Sequence, residues 1–135
     1  MIIALTGLAG SGKSTVAEMT GGLQVAFATP MKRFCQEVFG FSERQLWGPS
    51  EDREEPSTQF TRPDGTPLTP RFALQTLGTD WGRNCDPDVW AKAGMRQAQE
   101  LLHGNSSKLV VFTDLRFVNE ARVVKENGGV VWRIN

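Results

Sequence analysis

The chain has 135 residues, and its 15 Lys and Arg residues balance 15 Asp and Glu residues, so its formal net charge at pH 7 is zero. This length suits one compact domain, and we expect a single domain over residues 1–135. The balanced charge excludes a general attraction to nucleic acid or to an anionic membrane, so an anion has to be bound by a local site. No apolar run approaches the roughly 20 residues that cross a bilayer. We therefore expect neither a nucleic-acid nor a membrane partner.

The two cysteines indicate a reducing environment. Cys35 and Cys85 show neither a C-x-x-C pairing nor metal-ligand spacing, so we interpret them as reduced thiols of a cytoplasmic protein. The opening MIIAL has no basic residues before its apolar run and is followed by glycine-rich sequence, which favours a buried strand over a signal peptide. The single histidine, His103, stands at a predicted helix end, where we expect a structural or solvated role.

The N-terminal quarter predicts a strand, a helix, a second strand and a second helix. The first six residues form an apolar run typical of a parallel strand covered on both faces. A short helix is predicted from Lys13, and a second strand, LQVAFA, from Leu23. The next helix has Thr29 as its N-cap and Pro30 at its first position. Its predicted apolar stripe contains Met31, Phe34, Cys35, Val38 and Phe39.

The middle of the chain predicts a long irregular loop and then a helix. An acidic and then proline- and glycine-rich segment covers about residues 48–70 and indicates a surface loop. Thr69 and Pro70 resemble a second cap and helix start. In the helix that follows, Leu74, Leu77 and Trp81 share a face.

The C-terminal half predicts two more helices and two more strands. Asp86 and Pro87 repeat the pattern of an N-cap followed by a proline, before a helix that ends at Gly104. The strand KLVVFTD delivers Asp114 to its C-terminal edge, and an amphipathic helix closed by glycines leads to the last strand, VVWRI. The alternation predicts an α/β three-layer sandwich with a mostly parallel sheet.

The run GLAGSGKS, from Gly7 to Ser14, matches the P-loop pattern G-x-x-x-x-G-K-[ST] between a predicted strand and a predicted helix. The alternative is an ordinary glycine-rich turn. Backbone amides of such a loop converge on phosphate oxygens at the positive end of a helix. Lys13 is expected to reach β- and γ-phosphates, and the Ser14 hydroxyl to join a Mg²⁺ shell. The predicted cofactor-binding residues are Gly7, Ala9, Gly10, Ser11, Gly12, Lys13, Ser14 and Thr15.

Asp114 and Arg116, which follow the third predicted strand, complete the predicted catalytic set with Lys13. Asp114 is placed to hold the metal from the side opposite the phosphates; its alternative role is to cap the helix that follows. Arg116 can offer a guanidinium fork to a phosphate in the same cleft. The alternative for Arg116 is a surface ion pair with Glu120.

Further basic and aromatic residues are candidates for a substrate site. Lys32 and Arg33 open the helix after the second strand, at the sheet edge where ligands of α/β folds bind. Arg71 and Arg83 flank a helix that contains two more candidates, Gln75 and Trp81. The Gln75 amide can read a base edge and Trp81 can stack on a base, although core packing is the favoured interpretation of Trp81.

Several stretches together resemble the phage-type deoxynucleoside monophosphate kinases, a branch of the P-loop kinases. The resemblance covers nearly the whole chain and is carried by GLAGSGKST, FATPMKRFCQEVFGFSERQLWGPSE, TPRFALQTLGTDWGRN leading to DVW, and DLRFVNEARVVKENGG followed by VWRI. It implies the nucleoside monophosphate kinase fold, ATP and Mg²⁺ as cofactors, and a deoxynucleoside monophosphate (dNMP) as acceptor. It also implies a monophosphate site formed by Lys32, Arg71, Gln75 and the turn 78–80. A phage-encoded member acts in the host cytoplasm.

The chain departs from that family in three ways. Thr29 replaces a common Asp after the second strand, and Val118 replaces a usual Pro. Family members also continue past VWRI into an arginine-bearing lid and a further strand, and we expect both to be missing here. The alternatives are therefore a catalytically weak relative that binds nucleotide or a partner protein, with a homodimer as one option, or another small-molecule P-loop kinase resembling dephospho-coenzyme A kinase.

Overall fold

The fold is organised around a parallel β-sheet in a computed structural model that describes residues 1–8, 10–104 and 108–135. Within these ranges the sheet has the strand order β2-β3-β1-β4, and every pairing is parallel. The strands are β1 (Ile2–Thr6), β2 (Leu23–Val25), β3 (Val110–Phe112) and β4 (Val130–Arg133). The predicted α/β class, the parallel sheet and all four predicted strands are confirmed, with β2 and β3 shorter than expected.

The central strand β1 is buried on both faces because its side chains alternate between two helical layers. Ile2 and Ala4 belong to a core formed with helices α5 (Val89–Gly104) and α6 (Val118–Glu126). Ile3 and Leu5 pack on the opposite face against Ala17 of helix α1 (Lys13–Thr20). The three-layer arrangement is therefore present around this sheet.

The chain divides into two compact units. The first, residues 1–28 with 86–135, contains the sheet and helices α1, α5 and α6. The second, residues 29–85, has its own core of buried residues. Its elements are α2 (Thr29–Phe39), α3 (Glu43–Trp47), a 3₁₀-helix (Ser50–Glu54), α4 (Pro70–Gln75) and a π-helix (Thr76–Arg83). The single domain expected over residues 1–135 stays a prediction.

The apolar stripe predicted for α2 is wrong in part. Cys35 is fully buried and packs with Phe39, but Phe34 and Val38 are 46% and 48% exposed. Neighbouring helical positions point about 100° apart, so a helix that turns the Cys35–Phe39 line to the core leaves Phe34 and Val38 outside it.

The segment predicted as an irregular loop at about 48–70 is more ordered than expected. It begins with the 3₁₀-helix and continues into a hairpin-like turn, in which Thr61 and Pro67 form an antiparallel bridge. Asp64 holds that turn, because its carboxylate accepts hydrogen bonds from the Thr66 amide at 3.0 Å and the Thr66 hydroxyl at 2.6 Å. Local side-chain hydrogen bonds thus replace regular secondary structure.

The helix predicted after Thr69 starts as expected and then changes type. The Thr69 hydroxyl accepts from the Phe72 amide at 3.2 Å, and Pro70 is the first helical residue. After Gln75 the chain widens into the π-helix, in which Gly78 and Gly82 are buried while Trp81 is 60% exposed. The favoured interpretation of Trp81 as a core residue is therefore wrong. The buried side of the π-helix contains Gly78 and Gly82, and Trp81 lies on its exposed side.

The predicted start of α5 at Pro87 is two residues too early, although its predicted end at Gly104 is confirmed. Asp86, the predicted cap, lies three residues before the helix. Its carboxylate accepts from the Asp88 amide at 2.8 Å and from Lys92 Nζ at 2.5 Å. The hydrogen bond from Lys92 is the main cause that lowers the pKa of Asp86.

Both cysteines are free thiols, as expected; Cys35 is buried and Cys85 is exposed. Among the helices of the described ranges, none combines the length and the apolar character needed to cross a membrane. Val118 is the first residue of α6 and is 89% exposed, so the side chain that replaces the usual Pro takes no part in packing.

Candidate phosphate-binding site

A glycine-rich loop joins β1 to α1, in the order that the P-loop pattern predicts. Gly12 caps α1 with φ 95°, a left-handed conformation that favours glycine, and no side chain caps the helix. A Cβ added at Gly10 or Gly12 would meet no atom of the described residues within 4 Å. The uncapped end of α1 therefore has free space beside its loop, as an anion that binds backbone amides requires.

The start of the loop is packed against the end of β4. The amide of Ile134 donates to the carbonyl oxygen of Thr6 at 2.8 Å. A Cβ on Gly7 would lie 2.4 Å from the carbonyl oxygen of Ile134, so this position accepts only glycine without movement of the backbone. The edge strand β4 is thus part of the wall of the loop.

Lys13, the lysine of the pattern, is the first residue of α1, and its side chain extends back over this loop. Its Nζ donates a hydrogen bond to the carbonyl oxygen of Gly7 at 2.6 Å, across the loop. The Ser11 hydroxyl oxygen is buried and has no hydrogen-bond partner among the described residues. A buried polar atom without a partner is costly, and a ligand oxygen or a water at this position would remove that cost.

The other predicted loop residues fall into two groups. Ser14 and Thr15 occupy the first turn of α1, and both are exposed. Ala9 lies outside the described residues. The loop therefore offers a hydroxyl group at Ser14 next to the lysine at position 13, in the positions that the motif requires.

Asp114 does not cap the following helix, contrary to its alternative interpretation. Its carboxylate accepts hydrogen bonds from the amides of Phe27 at 2.8 Å and Ala28 at 3.1 Å, which follow β2. Glu120 fills the capping role for α6: its buried carboxylate accepts from the amides of Arg116 at 2.9 Å and Phe117 at 3.0 Å. The ends of β3 and β2 are thus tied together at the edge that carries the loop.

Arg116 is exposed, and the side-chain ion pair with Glu120 that was its alternative is wrong. The contact between these two residues runs through the backbone amide of Arg116. Within the described ranges, the Arg116 guanidinium is in no ion pair. Its charge is therefore available to a ligand.

Arg116 and the loop line one cleft, of about 630 Å³, in the first unit. The cleft brings together predicted residues from the loop and from the end of β3, and it adds Arg133 from β4, which the sequence interpretation missed. Its described lining residues are Thr6, Gly7, Leu8, Gly10, Ser11, Leu115, Arg116, Arg133, Ile134 and Asn135. The only sequence signal for Arg133 is its position at the end of a predicted parallel strand.

The predicted substrate residues all lie in the second unit, where two of the basic ones have defined contacts. Lys32 lies 5.9 Å from the ring centroid of Trp47, a cation–π distance. Arg71 is ion-paired with Glu54 and donates to the carbonyl oxygen of Ser50 at 3.2 Å. Arg71 is thus already neutralised by a carboxylate, which the sequence interpretation did not anticipate.

The remaining substrate candidates differ in exposure. Arg33 and Gln75 are exposed, as is Trp81, and Arg83 is half-buried at the end of the π-helix. An exposed indole and an exposed amide are the side chains that recognise a base by stacking and by hydrogen bonding. The chemistry proposed for Gln75 and Trp81 is therefore available at the surface of this unit.

The chain is similar in sequence, over its whole length, to a viral protein. No family model matches the chain. It is 33% identical, over 147 residues, to a protein of Acanthamoeba polyphaga mimivirus named "Putative deoxynucleotide monophosphate kinase". The alignment covers 100% of this chain and 74% of the relative.

Proposed function

The chain belongs to the deoxynucleotide monophosphate kinase family, and from that premise we propose that it transfers the γ-phosphoryl group of ATP to the phosphate of a dNMP. The observation that carries the proposal is the loop itself: an uncapped helix end, open space at Gly10 and Gly12, and Lys13 held across it. In-line phosphoryl transfer needs positioning and charge neutralisation and no covalent intermediate on the protein. In this proposal the loop positions the phosphates. The neighbouring basic side chains and a bound metal ion neutralise their charge.

We assign the donor phosphates to the loop amides and to Lys13. The hydrogen bond from Lys13 Nζ to Gly7 keeps the ammonium group over the loop when no phosphate is bound. An incoming phosphate oxygen is a stronger, charged acceptor than that carbonyl, so Lys13 exchanges one partner for the other. The Ser11 hydroxyl, which has no hydrogen-bond partner in the described ranges, is a further donor for the same ligand.

We assign Mg²⁺ to the Ser14 hydroxyl and the Asp114 carboxylate. Hydroxyl, carboxylate and phosphate oxygens are the ligands that Mg²⁺ prefers, and protein sites often supply only one or two of them. No group of three or more His, Cys, Asp or Glu side chains in the described ranges is arranged to hold a metal. In this proposal the phosphates of the bound nucleotide supply the remaining oxygen ligands. When bound, the ion neutralises charge on the phosphate oxygens.

We assign the transferring phosphoryl group to Arg116 and the acceptor nucleotide to the second unit. The Arg116 side chain lines the cleft of the loop. Lys32 and Arg33 are proposed to bind the acceptor phosphate, together with Arg71 and Arg83, whose present contacts a phosphate would have to replace or share. Gln75 and the exposed Trp81 are proposed to bind the base.

The test is an ADP-release assay on the full chain with Mg·ATP and each of the four dNMPs. We expect turnover with at least one dNMP, and a loss of roughly a hundredfold or more in Lys13→Ala. The exposed Lys125 of α6 supplies the matched control, because Lys125→Ala removes the same charge away from the loop and should keep full turnover. Turnover in Lys13→Ala equal to that of Lys125→Ala would contradict the assignment. Binding of ATP without turnover on any dNMP would instead support a nucleotide-binding protein.

A further inference from the structure

Arg133 ends β4 beside the first residues of the phosphate loop. It pairs in parallel register with Thr6, the residue that precedes Gly7. Partners in register on adjacent strands direct their side chains to the same face of a sheet. Consistently, both Thr6 and Arg133 line the cleft that contains Gly7, Gly10 and Ser11. Strand β4 therefore brings a guanidinium to the entrance of the loop.

Basic side chains line the cleft. Its described lining contains two basic side chains, Arg116 and Arg133, and no acidic side chain. Neither guanidinium is ion-paired with a carboxylate in the described part of the chain. Two like charges beside one concave surface repel each other, and a bound anion relieves that repulsion.

The donors around the cleft suit an oxyanion. A guanidinium presents its donors in a planar fork that matches two oxygens of a carboxylate or a phosphate. The loop next to it adds backbone amides, and the buried Ser11 hydroxyl there has no partner among the described residues. These three kinds of donor lie at one cleft, as a ligand with several phosphate oxygens requires.

We propose that Arg133 binds the polyphosphate chain of the donor nucleotide, together with Arg116. The identification of that polyphosphate as the one of ATP rests on the proposed function; the two arginines and the loop donors around the cleft do not. Arg133 is then a binding residue that the P-loop motif does not contain. It acts from the edge strand, on the side of the loop opposite to helix α1, since Thr6 shares the face of Ala4 and not that of Leu5.

The test is calorimetric titration of the full chain with magnesium tripolyphosphate, Mg·ATP and adenosine. We expect Arg133→Gln to weaken tripolyphosphate and ATP by the same factor, at least about tenfold, with adenosine unchanged. Arg133→Lys should recover part of the loss, since it keeps the charge and loses the fork. The control Arg96→Gln removes an exposed arginine of α5 that does not line the cleft, and should match the wild type.

Two results would overturn the proposal. Unchanged tripolyphosphate binding in Arg133→Gln would exclude a phosphate contact. A loss confined to ATP would assign Arg133 to the base or the sugar instead. Arg133 is exposed on an edge strand, so its variants should fold, and Arg133→Lys gives a second reading of the same contact.

The dNMP assay separates this proposal from the proposed function. A wild-type chain that binds tripolyphosphate through Arg133, yet phosphorylates no dNMP, would contradict the kinase assignment and retain the Arg133 contact. A wild-type chain that phosphorylates a dNMP, while Arg133→Gln binds tripolyphosphate normally, would support the kinase assignment and contradict the Arg133 contact.

Discussion

The carboxylate of Asp114, just beyond β3, accepts a hydrogen bond from the amide of Phe27, just beyond β2, at 2.8 Å. A second bond, from the amide of Ala28 at 3.1 Å, makes the contact bidentate. Each carboxylate oxygen keeps a further lone pair, so the same side chain can tie the strand ends together and still offer oxygen to a metal. The structural role is visible in these contacts, and the metal role is the proposal.

Asp114→Ala should destabilise the protein by about 2–3 kcal/mol, because two amides lose a charged acceptor. Asp114→Asn keeps one carbonyl oxygen as an acceptor and should lose about half as much. Urea unfolding followed by tryptophan fluorescence measures both. Glu100→Ala, an exposed acidic residue of α5, is the control and should stay within about 0.5 kcal/mol of the wild type. Equal stability of Asp114→Ala and Glu100→Ala would show that the strand-end contact contributes nothing.

The metal role of Asp114 makes a separate prediction for Asp114→Asn. Loss of the negative charge should raise the Mg²⁺ concentration that gives half-maximal turnover, since a neutral amide is a weaker Mg²⁺ ligand than a carboxylate. A Mg²⁺ titration of ADP release on the folded variant measures it. An unchanged Mg²⁺ requirement would leave Asp114 with its structural role alone.

Glu120 should control the position of Arg116 through the backbone. Its carboxylate accepts from the amides of Arg116 and Phe117, the residues that lead from the cleft into α6. Glu120→Ala should destabilise the protein by about 1–2 kcal/mol. It should also lower kcat and change KM for the dNMP less, because the backbone of Arg116 loses its hydrogen-bond acceptor. Glu120→Gln retains an acceptor oxygen and should recover both values. A kcat of wild-type size in folded Glu120→Ala would show that Arg116 needs no such anchor.

The buried thiol of Cys35 should make the protein less stable in alkali. Burial raises the pKa of Cys35 from 9.0 to about 11. Between these values the unfolded chain has lost the proton that the folded chain keeps, so the free energy of unfolding falls as pH rises. Below pH 9 the protonated thiol makes its full contribution to the free energy of unfolding. By pH 11 the free energy of unfolding is lower by about 2–3 kcal/mol.

Cys35→Ala tests this prediction, because other groups also titrate in that range. Urea unfolding at pH 8 and pH 10.5 should show a larger loss of stability in the wild type than in Cys35→Ala. Parallel losses in the two proteins would exclude Cys35 as the cause. The exposed Cys85 supplies a control variant, Cys85→Ala, which should follow the wild type.

Gly94 should resist enlargement because α5 crosses the sheet at a pair of stacked rings. Phe27 and Phe112 lie with ring centroids 4.2 Å apart, and a Cβ on Gly94 would come within 2.6 Å of Phe27 Cδ1. Gly94→Ala should cost about 1–3 kcal/mol despite the better helix propensity of alanine. Gly104→Ala, at the end of the same helix with nothing within 4 Å of its Cβ, should be close to neutral. Thermal unfolding compares the two, and similar melting temperatures would contradict the packing argument.

The strands and most helix boundaries could be predicted from the sequence because local signals determine them. Apolar runs specify β1 and β3, and the Thr69–Pro70 cap specifies the start of α4. The π-helix could not be predicted, since apolar periodicity does not distinguish it from an α-helix over eight residues. The hairpin-like turn in residues 57–68 was missed because side-chain hydrogen bonds stabilise it in a segment without periodic apolar residues.

The candidate site also combines residues that local sequence signals identify with residues that they do not. The loop from Gly7 to Thr15 is contiguous in sequence, so its pattern was enough to find it. Arg133 required the strand order, because it reaches the loop only by pairing with β1 across the sheet. The Glu54 partner of Arg71 is 17 residues away in sequence and no motif connects the two. Long-range contacts of this kind depend on tertiary structure and leave no local signal.

The central claim, that this chain transfers a phosphoryl group to a nucleotide, is tested most directly by incubating it with ATP labelled at the γ-phosphate, Mg²⁺ and each dNMP. The label should appear in a deoxynucleoside diphosphate, and Lys13→Ala should slow the transfer roughly a hundredfold or more while Lys125→Ala retains it. Label that stays in ATP or is released only as inorganic phosphate, with every dNMP and with ATP binding intact, would contradict the account.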